Sequence, residues 1–352
     1  MAAQGNGNGR RPLDGKPVLW DRWPLERLLD LELRQLDVAL EGTWLEELVL
    51  RVYRELDARG LRFRPHFWLS DEWFSPDGVP GVAVPFYLAH PRLMRLERSQ
   101  MLEVEGGTRE ECLRLMRHEV GHAIQDAFGL HRRRRWQRLF GRSTEPYPDQ
   151  YRPNPASKHY VQHLDAWYAQ SHPVEDFAET FAVWLRPRAD WRRRYAGWPA
   201  LRKLELVDEL MRKISGARPR NTSRARPDAL PRLRRTLRQH YADRRRRYAV
   251  RFSNGYDEDL VRLFSSAPSH RDRPTAAAFL RRHRSEIRAQ VASLTGESRF
   301  TLDQVLKEMT GRCRELGLRA AGPERRLKRD FAIVLTAHTV RCLHRPGEWC
   351  QL

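Results

Sequence analysis

Residues 108–129, TREECLRLMRHEVGHAIQDAFG, decide how the rest of the sequence is interpreted. Their apolar side chains recur every three or four positions, which is the spacing of one face of an α-helix. Thr108 followed by Glu111 has the pattern of a capping box, and Gly129 is a typical residue just past a helix end. The sequence therefore predicts one amphipathic helix from Thr108 to about residue 128.

Within this helix, residues 118–122 have the sequence HEVGH, the H-E-x-x-H pattern. Residues four apart lie on the same helix face, so His118 and His122 can bind one metal ion. Glu119 is rotated by about 100° from His118, where it can contact a metal-bound water instead of the metal. Gly121 leaves no side chain beside the site. The motif predicts a zinc site; the alternative is two histidines on an ordinary helix.

A second helix is expected over residues 173–185, which include VEDFAETFAVWL. Catalytic zinc has three protein ligands and one open position. Glu175 and Glu179 share a helix face beside an apolar stripe, where unpaired carboxylates are costly. We therefore expect Glu175 to be the third ligand and Glu179 to accept the second ring N–H of a ligand histidine. The alternative is an amphipathic helix with solvated acids.

The motifs HEVGHAIQ and HPVEDFAETFAVWL resemble those of a bacterial zinc-binding metallopeptidase family of the gluzincin type, over roughly residues 60–200. The site pattern is similar to that of lethal-factor-like peptidases, in which E-x-x-A-E carries the third ligand and its supporting acid. The resemblance implies a zincin-like fold, one Zn²⁺ per chain and a peptide or protein substrate. Hydrolysis would use a zinc-bound water that Glu119 activates.

The same resemblance places a tyrosine seven residues before the glutamate ligand, to stabilise the transition state. That position is Tyr168. Tyr160 and His163 remain candidates for this role. By analogy with zincin-like folds, the strand expected near residues 82–88 would bind an extended peptide by strand addition.

Charge divides the chain into two parts. Residues 1–215 contain 34 basic and 31 acidic side chains, whereas residues 216–352 contain 31 basic and 14 acidic ones. The whole chain has a net charge of +20. A basic region indicates an anionic partner such as nucleic acid or an acidic protein. However, 59 of the 65 basic residues are arginine, which a GC-rich coding sequence also produces, and no nucleic-acid-binding module is found. The alternative to a peptidase is therefore a non-catalytic, zinc-containing regulatory protein whose basic domain binds nucleic acid or an acidic partner.

These patterns predict an α+β, mainly helical chain. We expect a disordered tail over 1–17, a zincin-like metallopeptidase domain with a small sheet over 18–215, a linker over 216–231 and an all-α basic domain over 232–352. Strands are expected at residues 63–68 and 82–88, and two helices are expected over residues 24–59, separated at Gly42-Thr43. Further helices are expected at 191–214, 233–250, 257–264, 275–294, 302–316 and 325–343.

Composition also excludes several classes of protein. The sequence contains no run of about 18 apolar residues, so no transmembrane helix is predicted. The first 16 residues lack the apolar run of a secretory signal. Four cysteines in 352 residues do not form a disulfide framework, so a cytoplasmic location is expected. The cluster of His338, Cys342, His344 and Cys350 fits no standard zinc module, and the oligomeric state stays open.

Overall fold

The computed structural model describes residues 18–148, 151, 153–248 and 256–343. These residues are mainly helical with one two-stranded sheet, which confirms the expected fold class. The α-helices are α1 (Leu25–Leu29), α2 (Trp44–Ala58), α3 (Pro91–Met101), α4 (Arg109–Phe128), α5 (Arg134–Phe140), α6 (Pro173–Leu185), α7 (Trp191–Arg194), α8 (Ala200–Ile214), α9 (Leu237–Arg247), α10 (Asp257–Leu263), α11 (Ala276–Thr295), α12 (Arg299–Glu315) and α13 (Glu324–Leu343). Short 3₁₀ helices cover Leu19–Arg22, Leu33–Gln35, Phe86–Ala89, Leu130–Arg132, Asp165–Gln170, Leu230–Arg232 and Pro268–His270.

Helix α4 begins and ends where the sequence predicts. The Thr108 hydroxyl accepts a hydrogen bond from the Glu111 backbone N–H, and the Glu111 carboxylate accepts one from the Thr108 N–H, so the capping box is complete. Gly129 follows the helix in the left-handed conformation, with φ 58°, which costs glycine less than any other residue. These local signals fix the length of the helix that carries the HEVGH motif.

Helices α4 and α6 cross where Gly121 meets Ala178. A β-carbon placed on Gly121 would lie 2.8 Å from the Ala178 α-carbon and 3.1 Å from its carbonyl oxygen. Both contacts are with backbone atoms, so a side chain could fit only if the helices moved apart. The absence of a side chain at Gly121 therefore lets the two motif-bearing helices approach closely.

The sheet pairs β1 (His66–Ser70) with β2 (Gly81–Pro85) in parallel. The second predicted strand ends early, because the 3₁₀ helix over Phe86–Ala89 replaces its last part. Ala83 donates its N–H to the carbonyl of Phe74 on the edge of β2 that faces away from β1, at 2.8 Å. All of β2 is buried. The expectation that this strand binds an extended peptide is therefore wrong, because its other edge is already paired and covered.

The N-terminal region contains less helix than expected. The first of the two helices predicted over residues 24–59 is replaced by α1 and the 3₁₀ helix Leu33–Gln35. The Leu33 N–H donates to the carbonyl of Arg235, 202 positions further along the chain, at 3.0 Å, so this segment bonds to a distant one instead of continuing a helix. The second helix is confirmed as α2, with Thr43 as its N-cap. The stretch predicted over 191–214 is divided into α7 and α8.

The buried apolar residues form two main clusters, one over residues 20–241 and one over residues 256–335. The stretch 216–231 lies along the first cluster: Leu230 belongs to the cluster, and the Arg220 backbone N–H donates to the carbonyl of Ala127, another member, at 2.9 Å. The four last helices, α10 to α13, build the second cluster. The division into domains remains a prediction, and the expected tail at 1–17 lies outside the described residues. None of the described helices is long and apolar enough to span a membrane.

Candidate metal centre and active-site cleft

Three side chains converge between α4 and α6. His118 Nε2 lies 3.0 Å from His122 Nε2 and 3.0 Å from Glu175 Oε2, and His122 Nε2 lies 3.2 Å from Glu175 Oε2. Within the described part of the chain, this is the one group of His, Cys, Asp or Glu side chains that places three ligand atoms within 4.8 Å of one another. The sequence predicted these three residues as a set, and the fold brings them together.

The spacing of these atoms fits a small tetrahedral cation. Ligand bonds of about 2.0–2.1 Å at tetrahedral angles separate neighbouring donor atoms by about 3.3 Å. The three observed separations, 3.0 to 3.2 Å, are close to that value. Two imidazole nitrogens and one carboxylate oxygen are also a donor set that suits zinc. The residues present therefore fit the ion that the sequence predicts.

Glu179 fixes the orientation of His118. Its Oε1 accepts the Nδ1 proton of His118 at 2.8 Å, and its Oε2 accepts the backbone N–H of Leu164 at 2.8 Å. Glu179 is fully buried. Burial alone would raise the pKa of Glu179, but the hydrogen bond and charge of His118 lower it below its ordinary value. The histidine is thereby held with its Nε2 directed at Glu175.

Glu119 lies next to the three converging side chains without belonging to them. It is 8% exposed and lines the same cleft as both histidines. Burial raises the pKa of Glu119 above its ordinary value, and the nearby His118 and His122 partly offset that effect. A carboxylate with a raised pKa is a stronger base than an ordinary carboxylate and therefore a better proton acceptor.

Two tyrosines flank the converging group. Tyr168, in the 3₁₀ helix Asp165–Gln170, has its ring centroid 5.6 Å from that of His118. Burial and the charges of Glu175 and Glu119 raise the pKa of Tyr168, so its hydroxyl keeps its proton and can donate it to a hydrogen bond. Tyr147 donates its hydroxyl to Glu175 Oε1 at 2.8 Å. No sequence motif indicates Tyr147, because it lies in an irregular segment 28 residues before its partner.

The other two candidates for the role of Tyr168 do not line the cleft. The Lys203 ammonium lies 4.2 Å from the centroid of the Tyr160 ring. His163 donates its Nε2 proton to the carbonyl of Arg114 at 2.9 Å. Burial lowers the pKa of His163 to about 4, so its ring is neutral. Both rings are thus engaged in packing beside the site.

A large cleft of about 1950 Å³ opens onto the converging group. One part of its lining comes from residues 72–77, α3 and α4, and another part comes from residues 294–299, which run from the end of α11 to the first residue of α12. Leu294, in the last turn of α11, is 72% exposed. Eleven acidic and six arginine side chains line the cleft, so its lining is acidic within a strongly basic chain. Burial raises the pKa of Glu297, beside α12, to about 7.

Of the other candidate residues, Cys112 and His338 do not line the cleft. Cys112 is buried, and burial raises its pKa, so it is a poor nucleophile. His338 Nε2 lies 2.7 Å from Asp259, which gives it an acidic partner within the second cluster. His344 and Cys350 lie outside the described residues.

Comparison with known proteins supports the class of site. Residues 97–191 match a family model described as a putative zinc-binding metallo-peptidase. The match contains α4, α6 and both tyrosines, and it confirms the resemblance drawn from the two motifs at that level; it does not address the gluzincin type or the lethal-factor-like pattern. Neither the curated proteins nor the solved structures include a significant match.

Proposed function

We propose that the protein is a zinc-dependent metallopeptidase. The observation that carries the proposal is the convergence of His118, His122 and Glu175, whose ligand atoms lie 3.0 to 3.2 Å apart beside a large cleft. These three side chains would hold one Zn²⁺ per chain. The bound ion would supply Lewis-acid polarisation of the scissile carbonyl and of a water molecule.

The roles of the other residues follow from their positions. Glu119 accepts a proton from the attacking water and delivers it to the leaving amine, because it is the cleft carboxylate next to the ligand group that is not part of it. Tyr168 donates a hydrogen bond to the oxyanion that develops on the carbonyl. Tyr147 holds Oε1 of Glu175, which leaves Oε2 for the metal. Glu179 positions His118.

A non-catalytic zinc protein is the less economical alternative. A structural zinc site closes its fourth position with a protein ligand and has no use for an adjacent carboxylate base. Here three ligand atoms converge beside a cleft, and Glu119 lines that cleft. Both features suit a site that admits a substrate.

The test compares Glu119→Gln with wild type in zinc content and in cleavage of a mixed peptide library. The variant keeps the shape and the ligands, so it should bind one zinc per chain while its cleavage rate falls by about 10²- to 10⁴-fold. Glu110→Gln is a matched control, because this acid on the first turn of α4 is exposed. Full activity of Glu119→Gln, or a folded wild-type chain that binds no zinc, would overturn the proposal.

A further inference from the structure

A second cavity, of about 570 Å³, lies between the end of α3 and helices α9, α11 and α12. We call it the arginine pocket. The three candidate metal ligands do not line it. Its charged lining consists of one carboxylate and six cations, namely Asp303 with Arg245, Arg281, Arg282, Arg284, Arg288 and Lys307.

The single carboxylate contacts three of these cations. Asp303 is 2% exposed. Its Oδ1 accepts from Arg284 Nε at 2.6 Å and from Arg288 Nη1 at 2.7 Å, and its Oδ2 lies 3.4 Å from Lys307 Nζ. Burial alone would raise the pKa of Asp303, but the bonds from both arginines lower it. One negative charge therefore orients several cations without neutralising them.

The other three cations have no acidic partner within the described residues. Arg281 and Arg282 are exposed on α11, and Arg245 of α9 donates to the neutral amide oxygen of Gln100. Six cations thus face one carboxylate in a small concave space. In a chain with a net charge of +20, such a concentration creates a local positive potential that attracts anions.

We propose that the arginine pocket binds a small anion that carries several linked phosphates. The planar guanidinium group matches pairs of phosphate oxygens, which makes arginine the preferred side chain for such groups. Asp303 already holds two of the guanidinium groups in place, so less conformational entropy is lost on binding. The volume lies within the range of about 300–1,000 Å³ that is typical of small-molecule pockets, and it favours a small anion over a nucleic-acid duplex.

The position of the pocket gives the anion a structural effect. Gln100 and Leu102 belong to the part of the chain that carries the candidate metal centre. The cations of α11 and α12 lie on helices that build the second cluster. Leu102 also lines the active-site cleft. An anion held from both sides would therefore stabilise the contact between these parts next to the cleft. The inference does not depend on the proposed peptidase activity.

The test titrates the full-length chain with tripolyphosphate and with ATP, without added magnesium, at 150 mM salt to screen weak surface binding. Calorimetry and thermal unfolding report the binding. We expect saturable binding of one anion per chain and a rise in Tm. The double variant Arg281→Ala/Arg282→Ala should weaken binding at least about 10-fold, because it removes two guanidinium groups that can form charge-assisted hydrogen bonds with phosphate oxygens.

The matched control is Arg314→Ala/Arg325→Ala, which removes the same charge from exposed positions outside the pocket. It should bind as wild type does. Equal affinities for ATP and tripolyphosphate would identify the phosphate chain as the ligand group, and tighter binding of ATP would identify a nucleotide; both results support the site. No binding by wild type, equal weakening in both double variants, or tighter binding of a DNA duplex at the same arginines would overturn the proposal.

Discussion

Replacing Gly121 by alanine tests how closely α4 and α6 must approach. The new β-carbon would lie 2.8 Å from the Ala178 α-carbon, whereas ordinary contact begins at 3.4 Å, so the helices must separate locally by about 0.6 Å. Metal–ligand distances tolerate about 0.2 Å. Because His118 and His122 are on one helix and Glu175 is on the other, we expect the zinc dissociation constant to rise by at least about 10-fold.

The effect of Gly121→Ala on the stability of the metal-free chain should be modest. Overpacking lowers the free energy of unfolding by about 1–3 kcal/mol, while replacing glycine by alanine inside a helix raises it by about 1 kcal/mol. The free energy of unfolding of the metal-free Gly121→Ala chain should therefore be about 0 to 2 kcal/mol lower than that of wild type. Competition with a chromophoric chelator measures zinc affinity, and denaturant unfolding of the metal-free chain measures stability.

Gly311→Ala in α12 is the matched control, because a β-carbon at Gly311 would meet no atom within 4 Å. It should leave zinc affinity unchanged and stabilise the chain by roughly 0.5–1 kcal/mol. If Gly121→Ala behaves like this control in both assays, the close approach of α4 and α6 does not set the geometry of the metal centre.

Three further predictions concern the converging group and the cleft. Glu179→Gln should weaken zinc binding by about 10- to 100-fold, because His118 loses its charged hydrogen-bond acceptor. Tyr168→Phe should lower kcat by up to about 10²- to 10³-fold with zinc content unchanged, whereas Tyr147→Phe should weaken zinc binding more than it lowers kcat at saturating zinc. The carboxylate of Glu297, with its pKa raised to about 7, is charged above pH 7 and neutral below it, so the KM for a lysine-containing peptide should rise between pH 8 and pH 6 relative to a neutral peptide of equal length.

Each of these predictions has an outcome that would contradict it. Unchanged zinc affinity in Glu179→Gln would show that this acid does not position the histidine. A loss of zinc in Tyr168→Phe would assign that residue a structural role. A KM ratio that does not change with pH would separate Glu297 from substrate recognition, and Glu297→Gln should remove the pH dependence that wild type shows.

The parts of the fold that the sequence predicts well depend on local signals. The capping box of Thr108 and Glu111 and the apolar periodicity define α4, and the proline at the start of α6 defines that helix. The spacing of four residues between the histidines and between the two glutamates then places each pair on one helix face. The sequence shows a glycine at position 121, but only the fold shows that the two helix faces meet there.

The parts that the sequence does not predict depend on contacts between distant segments. Helical spacing favoured a longer helix near residue 33, but the Leu33 N–H bonds to Arg235. Phe74 pairs with Ala83 and closes the edge of β2, which no local pattern indicates. Tyr147 reaches Glu175 from an irregular segment for the same reason. Nor does composition reveal that the cleft lining is acidic in a basic chain, since the charge of a cleft depends on which side chains the fold assembles.

X-ray absorption at the zinc edge of the purified full-length chain tests the central claim most directly. We expect one zinc per chain, coordinated by two imidazole nitrogens and by oxygen donors, with no sulfur, and we expect His118→Ala to lose this signal while the chain stays folded. Sulfur in the coordination sphere, or a folded wild-type chain that takes up no zinc, would contradict the assignment of His118, His122 and Glu175 as the metal ligands.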